Sequence, residues 1–320
     1  MTNKERYKIL CEQEGDKIPI FLQYWWMEIV CQGKQWDVVI VEKNNTIVAA
    51  LPYLIGTRFG MRYVLQPQLT QYNGIWYREQ EYATENKRLE FEKWAATAVI
   101  EQLEKLNLAY YDQNFSPQIT NWLPFYWKGF EQTTRYTYRI NDFSDMQKVF
   151  DDFDRNFRQK PLLKVENSFS VDWNISPTEF YNLHKAYWQS RGQQDLISGQ
   201  LAINVCSRAL ERGQGFIAGL RDDKGELIVA KFIIYDSNCA HSLMSAFKPG
   251  GHPKGALPLL FWEIFKHISD KTKSFDFEGS MDEGIEYSYR LYGAKQTPYF
   301  KITKANSKLF LLLKTIKERI

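Results

Sequence analysis

The chain has 320 residues, enough for two domains, and its 41 Lys and Arg against 38 Asp and Glu leave a formal charge of +3. This near balance argues against a polybasic nucleic-acid binder, and a hydrophobic content of 44% can supply a sizeable core. Because no run approaches about 18 apolar residues and the start lacks an apolar region, we expect neither a transmembrane helix nor a secretory signal.

Four cysteines and four histidines are scattered along the chain without CxxC or HExxH spacing. In a chain of this size, dispersed cysteines are typical of reduced, buried thiols in a cytoplasmic protein. The same dispersal lacks the ligand spacing of a metal site, so we expect no metal.

The first half predicts alternating elements. In chain order they are a helix at 20–32, a hairpin of strands 36–41 and 46–55, a strand at 62–66, a polar loop to residue 74, a helix at 86–106 and a strand at 109–115. A linker helix at 144–160 follows, with a capping box at Ser144–Gln147 and the cations Arg155, Arg158 and Lys160 towards its end.

The second half predicts a similar order. Its elements are helices at 176–191 and 201–212, a hairpin of strands 216–220 and 227–235, a strand at 241–247, a Gly/Pro loop at 248–255, an amphipathic helix over 257–268 and a strand at 274–278. The repetition indicates two copies of one α/β unit, 1–140 and 141–320. Chance similarity between two hairpins is the alternative.

A glycine-rich loop joins the strand at 241–247 to the helix that follows it. Glycine lets the backbone approach a ligand closely, and the first amides and dipole of a helix favour an anion. The residues that we expect to hold a phosphate are Lys248, Gly250, Gly251, His252, Lys254, Gly255 and Ala256. An ordinary strand–helix turn has the same composition.

Two carboxylates follow each other along the strand at 274–278. Period-two alternation places Asp276 and Glu278 on one face, where either could accept a proton or position an amine. Solvated or structural acids at a strand end are the alternative.

Two further groups are candidates for substrate contact. The loop residues Gln71, Tyr72 and Asn73 carry amide and hydroxyl groups, although turns use the same residue types. Arg155 and Arg158 are the second group, and cations at a solvated helix end are the simpler explanation.

The carboxyl-terminal segment is basic and apolar together. Residues 301–320 hold six Lys and Arg and one Glu, a local charge of +5, so that the remainder sums to −2. A basic helix at 305–320 could lie on an anionic membrane surface, or dock on the core or on a second subunit.

These elements and motifs resemble the GNAT superfamily of N-acyltransferases, and the tandem arrangement resembles the Fem-type peptidoglycan aminoacyltransferases. The segments that carry the resemblance are Phe21–Trp26, Leu51–Tyr53, Leu69–Gly74, Phe275–Gly279 and Tyr289–Ala294. It implies an α/β (α+β) fold of two tandem units, each a mixed central sheet flanked by helices.

The resemblance also implies an activity: transfer of an acyl or aminoacyl group to an amine. Superfamily members bind acyl-coenzyme A on a Q/R-x-x-G-x-G/A loop, which here reads His252-Pro-Lys-Gly-Ala-Leu257. Fem-type members use aminoacyl-tRNA, so acetyl- or acyl-coenzyme A and aminoacyl-tRNA both stay open as donors. Tyr289 corresponds to a tyrosine that often acts as general acid, beside Glu278 or Asp276 as base.

The expected acceptor is a small molecule or a cell-wall or glycolipid precursor, with tRNA as a partner and no role for DNA. The expected location is the cytoplasm, including the inner face of the membrane. A non-catalytic ligand- or protein-binding module on the same fold is the alternative function.

Overall fold

A computed structural model describes residues 1–157, 165, 168–279 and 281–318. The chain divides into two compact units, which are unit 1 (Met1–Arg135 with Pro298–Ile320) and unit 2 (Tyr136–Thr297). The prediction of two repeated domains, 1–140 and 141–320, stays a prediction.

Unit 1 contains one mixed sheet and its helices. Its helices are α1 (Asn3–Glu14), α2 (Tyr24–Val30), α3 (Glu85–Glu104), α4 (Leu123–Trp127) and α11 (Lys308–Glu318), and its strands are β1 (Trp36–Lys43), β2 (Thr46–Arg58), β3 (Met61–Leu65), β4 (Trp76–Tyr77), β5 (Leu108–Asn114) and part of β12 (Lys295–Ala305). The sheet order is β1-β2-β3-β5-β12, and β4 pairs with β2. β3 and β5 are parallel, and the other pairs are antiparallel.

Local sequence explains the hairpin and the long helix of unit 1. Asn44 and Asn45 connect β1 to β2 with φ of 51° and 61°, a conformation that asparagine tolerates well. The Thr84 side chain caps α3 by accepting from the Lys87 N–H at 3.3 Å. The apolar face of α3 then buries Phe91 and Val99 in the core of the unit.

Unit 2 contains a further set of paired strands and its own helices. Its helices are α5 (Met146–Asp151), α6 (Arg155–Phe157), α7 (Pro177–Ser190), α8 (Gly199–Glu211), α9 (Ala256–Ile268) and α10 (Glu283–Arg290), and its strands are part of β6 (Glu131–Ile140), β7 (Ser170–Asp172), β8 (Gly215–Arg221), β9 (Leu227–Tyr235), β10 (Ala240–Phe247) and β11 (Phe275–Asp276). The sheet order is β6-β11-β10-β9-β8-β7. β10 and β11 are parallel, and the other pairs are antiparallel.

The core of unit 2 forms where α9 packs on the sheet. Phe261 and Phe265 of α9 are fully buried and contact the rings of Phe275 and Phe277 at centroid distances of 5.0 to 6.0 Å. Edge-on and tilted contacts favour particular relative orientations of the rings, in addition to the large apolar area that the rings bury. They fix the position of β11 and of the residues that follow it.

The strands of the two units are paired in the same arrangement. In each, a hairpin is followed by a third antiparallel strand, a helix, a parallel fourth strand and an antiparallel fifth strand. The fifth strand of unit 1 comes from β12 and that of unit 2 from β6. The predicted fold class, mixed sheets flanked by helices, is confirmed.

Two predicted helices are shorter than expected. The helix predicted at 20–32 is a 3-10 turn at Ile20–Leu22 followed by α2, because Gln23 between them is extended. Of the linker helix predicted at 144–160, residues 158–160 lie outside the described residues. The part up to residue 157 forms α5 and α6, and Asp145, not Ser144, is the N-cap of α5. The helix breaks because the Asp154 N–H bonds to Leu291 O at 2.9 Å instead of continuing the helix.

Several elements of the structure were not predicted, and one strand is shorter than predicted. The unpredicted elements are α1, β4, α4, β6, β7, α10 and β12, and β11 is Phe275–Asp276 where the prediction was 274–278. Pro298 within β12 argues against a strand on sequence grounds. Among the described helices, none combines the length and apolar character needed to cross a membrane.

Candidate active site

Two neighbouring parallel strands of unit 2, β10 and β11, pair over only two residues each. β10 pairs with β11 through Ala240–Phe275 and His241–Asp276, after which β10 continues to Phe247 while β11 ends. A β-bulge in β10 between Ser242 and Met244 shifts its register against β9 at this point. The residues that follow β11 therefore leave the sheet at this point.

Asp276 is fully buried and organises the turn after β11. Its Oδ1 accepts hydrogen bonds from the Thr137 hydroxyl and from the Glu278 N–H, the latter at 2.8 Å. The Arg139 Nε lies 3.7 Å from its Oδ2. These contacts give Asp276 a positioning role and leave Glu278 as the better candidate base.

Glu278 adopts an unusual backbone conformation, with φ of 64° in the left-handed region. Such a conformation is costly for a non-glycine residue and occurs most often at functional sites. Its Oε1 lies 3.5 Å from His241 Nδ1, and its side chain is 15% exposed. Burial raises the pKa of the Glu278 carboxyl to about 7, so the group can take and release a proton near neutral pH.

Tyr289 lies beside these carboxylates. It is half-buried on α10, with its ring 5.1 Å from the Phe277 ring centroid. Burial and the negative charges of Glu278 and Asp276 raise its pKa above the usual tyrosine value. The hydroxyl therefore keeps its proton at neutral pH and can donate it.

Three buried groups near the same site have the chemistry of metal ligands. Cys239, His241 and Asp276 each place a ligand atom within 4.8 Å of the others. The Arg139 Nη2 donates to Cys239 Sγ at 3.0 Å, and the same guanidinium lies beside Asp276. A cation thus already contacts two of the three groups, and we assign them no metal.

The glycine-rich loop leads into α9 as predicted. Gly250, Gly251 and Gly255 have φ of 88°, 96° and 98°, and Gly255 is the N-cap of α9 without a side-chain cap. A Cβ built on Gly250 or Gly251 would meet open space, so a ligand can approach there. However, the Ala256 N–H already bonds to Pro253 O at 3.1 Å and Pro258 has no N–H, which reduces the free donors.

The side chains of this loop point to different partners. The Lys248 ammonium lies 2.5 Å from Glu226 Oε2, and the His252 ring stacks on Phe247 at 5.4 Å. Lys254 is exposed at the start of α9. Of the three charged or ionisable residues predicted for phosphate contact, Lys254 is therefore the one best placed to meet an incoming anion.

Lys231 is a buried cation that the sequence analysis misses. It is 5% exposed on β9, and its Nζ donates to Ser245 Oγ at 2.6 Å and lies 4.7 Å from the Phe261 ring centroid. Burial lowers the pKa of its ammonium to about 7. Within the run Leu227–Tyr235 the only signal was one lysine in an otherwise apolar strand.

The predicted substrate residues Gln71, Tyr72 and Asn73 belong to unit 1, where they hold a loop in place. Asn73 Oδ1 accepts from Gln113 Nε2 at 2.6 Å, and Tyr72 packs edge-on against Tyr299. Asn73 and Tyr72 are buried, and the Gln71 carbonyl accepts from the Asn114 side chain. Their contacts are those of a structural loop.

The two predicted arginines belong to the segment that follows α5. Arg155 is exposed on α6, and Arg158 falls outside the described residues. The structure thus brings together Asp276, Glu278 and Tyr289 in unit 2, with His241 as an addition.

Comparison with known families identifies the class of protein. The model of the acetyltransferase (GNAT) domain matches residues 130–289, half of the chain and the stretch that contains β6 to α10. The chain therefore belongs to the GNAT acetyltransferase-domain family. None of the curated protein sequences matches it.

Solved structures share the fold over nearly the whole chain at low identity. FemX matches with a TM-score of 0.70 and 10% identity, covering 94% of this chain and 96% of its own. A C-terminal domain of a proposed lysylphosphatidylglycerol synthetase from Agrobacterium fabrum has a TM-score of 0.58 and 11% identity, over 98% and 96%. A tandem GNAT protein from the clavulanic acid biosynthesis pathway has a TM-score of 0.50 and 11% identity, over 85% and 83%.

Proposed function

We propose that this protein transfers an acyl or aminoacyl group from a thioester or ester donor to an amine. The observation that carries the proposal is Glu278, a buried carboxylate in a left-handed turn with a pKa of about 7, beside Tyr289. Both residues lie in the stretch that matches the acetyltransferase domain. A base that titrates near neutral pH and a protonated tyrosine are the two groups that this reaction needs.

The proposed step is a single exchange at the donor carbonyl. The amine nitrogen forms a bond to the carbonyl carbon, and Glu278 accepts the proton that the nitrogen loses. The carbon–sulfur bond of a thioester, or the carbon–oxygen bond of an ester, breaks, and Tyr289 protonates the departing sulfur or oxygen. Return of the proton from Glu278 to Tyr289 through solvent restores the enzyme.

Tyr289→Phe is expected to lower kcat by about tenfold or more while KM changes little, because the ring stays packed and only the proton donor is lost. The readout is release of coenzyme A from acetyl-coenzyme A, or of tRNA from aminoacyl-tRNA, with a panel of primary amines. Tyr287→Phe, on an exposed tyrosine of the same helix, is the matched control. An unchanged kcat in Tyr289→Phe would remove its role as acid.

The donor phosphate is proposed to bind at Gly250–Gly255 and the start of α9. Lys254→Ala is expected to weaken donor binding by about tenfold, because a charge-assisted contact to phosphate contributes about 1.5–3 kcal/mol. Gly255→Asp places a negative charge at the same helix end and should weaken it further. Calorimetry with acetyl-coenzyme A and with aminoacyl-tRNA measures both variants.

Lys266→Ala, at the opposite end of α9, is the control for these two variants. Equal affinity of wild type, Lys254→Ala and Gly255→Asp for both donors would remove the phosphate site from this loop. Binding of one donor alone identifies the donor class.

The acceptor is proposed to be an amine on a small molecule or on a cell-wall or lipid precursor. The support is the shared fold with FemX and with a domain named for lysylphosphatidylglycerol synthesis, at identities near a tenth. We place the protein in the cytoplasm, including the membrane's inner face.

A binding module without catalysis is the second candidate, favoured by one observation. The first turn of α9 has its Ala256 amide bonded within the loop and lacks an amide at Pro258, an incomplete anion cradle. Absence of turnover of either donor by the wild type, as by Glu278→Gln, would support this alternative.

A further inference from the structure

The turn between β2 and β3 holds an aromatic residue, Phe59, in a strained backbone conformation, and burial of its ring does not offset that strain. Arg58 and Met61 pair across the turn, so Phe59 and Gly60 form a two-residue connection with φ of 52° and 76°. Turns of this type favour Asn-Gly, and a bulky residue at the first position is strained. Phe59 is nevertheless 66% exposed, and its ring contacts the Arg58 guanidinium at 5.1 Å.

The carboxyl-terminal helix α11 begins beside this turn. Ser307 Oγ lies 3.5 Å from Met61 Sδ, and Phe310 packs into a small cluster with Met61 and Tyr63. With Phe310 anchored on the strands, Leu309 and Leu312 stay 58% and 60% exposed on the opposite side of the helix. Exposed leucines one helical turn apart form the apolar face of an amphipathic helix.

Two cations accompany these apolar side chains. Arg58 and Lys308 are exposed at the turn and at the start of α11. Arg58 pairs with Met61 and shares its face of the sheet, whereas Arg62 alternates with Met61 and Tyr63 and belongs to the other face. The side of the turn that α11 adjoins therefore carries positive charge.

We propose that Phe59, Leu309 and Leu312, with Arg58 and Lys308, form a docking surface on unit 1 for an anionic lipid bilayer. Apolar side chains enter the boundary between headgroups and acyl chains, and the cations meet the negative headgroups. A second copy of the chain fits less well, because a two-fold contact would bring like cations together. This inference does not depend on the proposed transfer reaction.

Sedimentation of the full-length protein with vesicles tests the proposal. Wild type is expected to pellet with equimolar phosphatidylcholine and phosphatidylglycerol, to pellet less at high salt, and to stay in solution with phosphatidylcholine alone. Phe59→Asn is the sharpest variant, because asparagine suits the left-handed position. It should raise the melting temperature, because the strain at residue 59 is relieved. It should also lower vesicle partitioning by about tenfold, because one aromatic side chain no longer enters the bilayer.

The double variant Leu309→Ser with Leu312→Ser should lower partitioning by a similar factor of about ten. Leu123→Ser removes an exposed leucine elsewhere in unit 1 and is the matched control, expected to bind like wild type. Partitioning of Phe59→Asn and of the double variant equal to wild type would overturn the proposal. So would a wild-type dimer in sedimentation velocity that these variants dissociate, with no vesicle binding.

Discussion

Glu278→Gln is expected to lower kcat by about 10²- to 10⁴-fold, the range for loss of a general base. Glutamine has nearly the same shape and can occupy the same turn, which the Asp276 Oδ1 contact to the residue-278 N–H holds in place. The amide cannot accept the proton that the attacking amine must lose. The variant therefore tests the chemistry of the side chain and leaves the fold intact.

The pH profile gives the second readout for Glu278. With a carboxyl pKa of about 7, the wild-type kcat should rise with pH through this value and level off above it, because only the ionised form accepts a proton. Glu278→Gln should lack this rise. Glu283→Gln makes the same change on an exposed side chain of α10 and should keep the wild-type profile. A wild-type profile in Glu278→Gln would rule out Glu278 as the base.

Lys231→Met is expected to change how stability depends on pH. The folded-state pKa of Lys231 is about 7, well below the ordinary lysine value, so the unfolded chain binds more protons between the two values. The free energy of unfolding of the wild type should therefore increase as pH rises through this window. Relative to Lys231→Met, the gain from pH 7 to pH 9 should be about 2 kcal/mol.

Urea unfolding of wild type and variant at the two pH values measures this difference. At pH 7 the variant should also be the more stable protein, because Met occupies the apolar space below Phe261 without a charge to desolvate. Lys185→Met, on an exposed lysine of α7, should track the wild type at both pH values. A parallel pH dependence of wild type and Lys231→Met would show that the buried ammonium does not titrate in this range.

The fold was predictable from sequence where local signals and burial agree. The Ser176 N-cap of α7, the hairpin at Asn44–Asn45 and the apolar face of α9 all have the predicted positions. β6 and β12 were missed because their residues are partly exposed, and an apolar pattern marks only buried faces. The break between α5 and α6 depends on a hydrogen bond to Leu291, which is far away in sequence.

The candidate site was predictable only in part. The acids Asp276 and Glu278 were singled out from alternation along a strand, yet Glu278 lies beyond the strand in a left-handed turn. Its neighbourhood comes from three separate segments, with Thr137 on β6 and His241 on β10, and no spacing in the sequence encodes their approach. Lys231 could be recognised as unusual only from its burial in the structure.

The exchange of fifth strands has a consequence for synthesis on the ribosome. β5 pairs with β12 residues 301–305, at the other end of the chain, and both termini belong to unit 1. While the chain is being made, β5 therefore has an unpaired edge until residues 301–305 have been translated, which favours misassociation with other nascent chains. In unit 2, the strands β6 to β11 are complete by Asp276, so this unit can close first and the amino-terminal unit is expected to be the later one to finish folding.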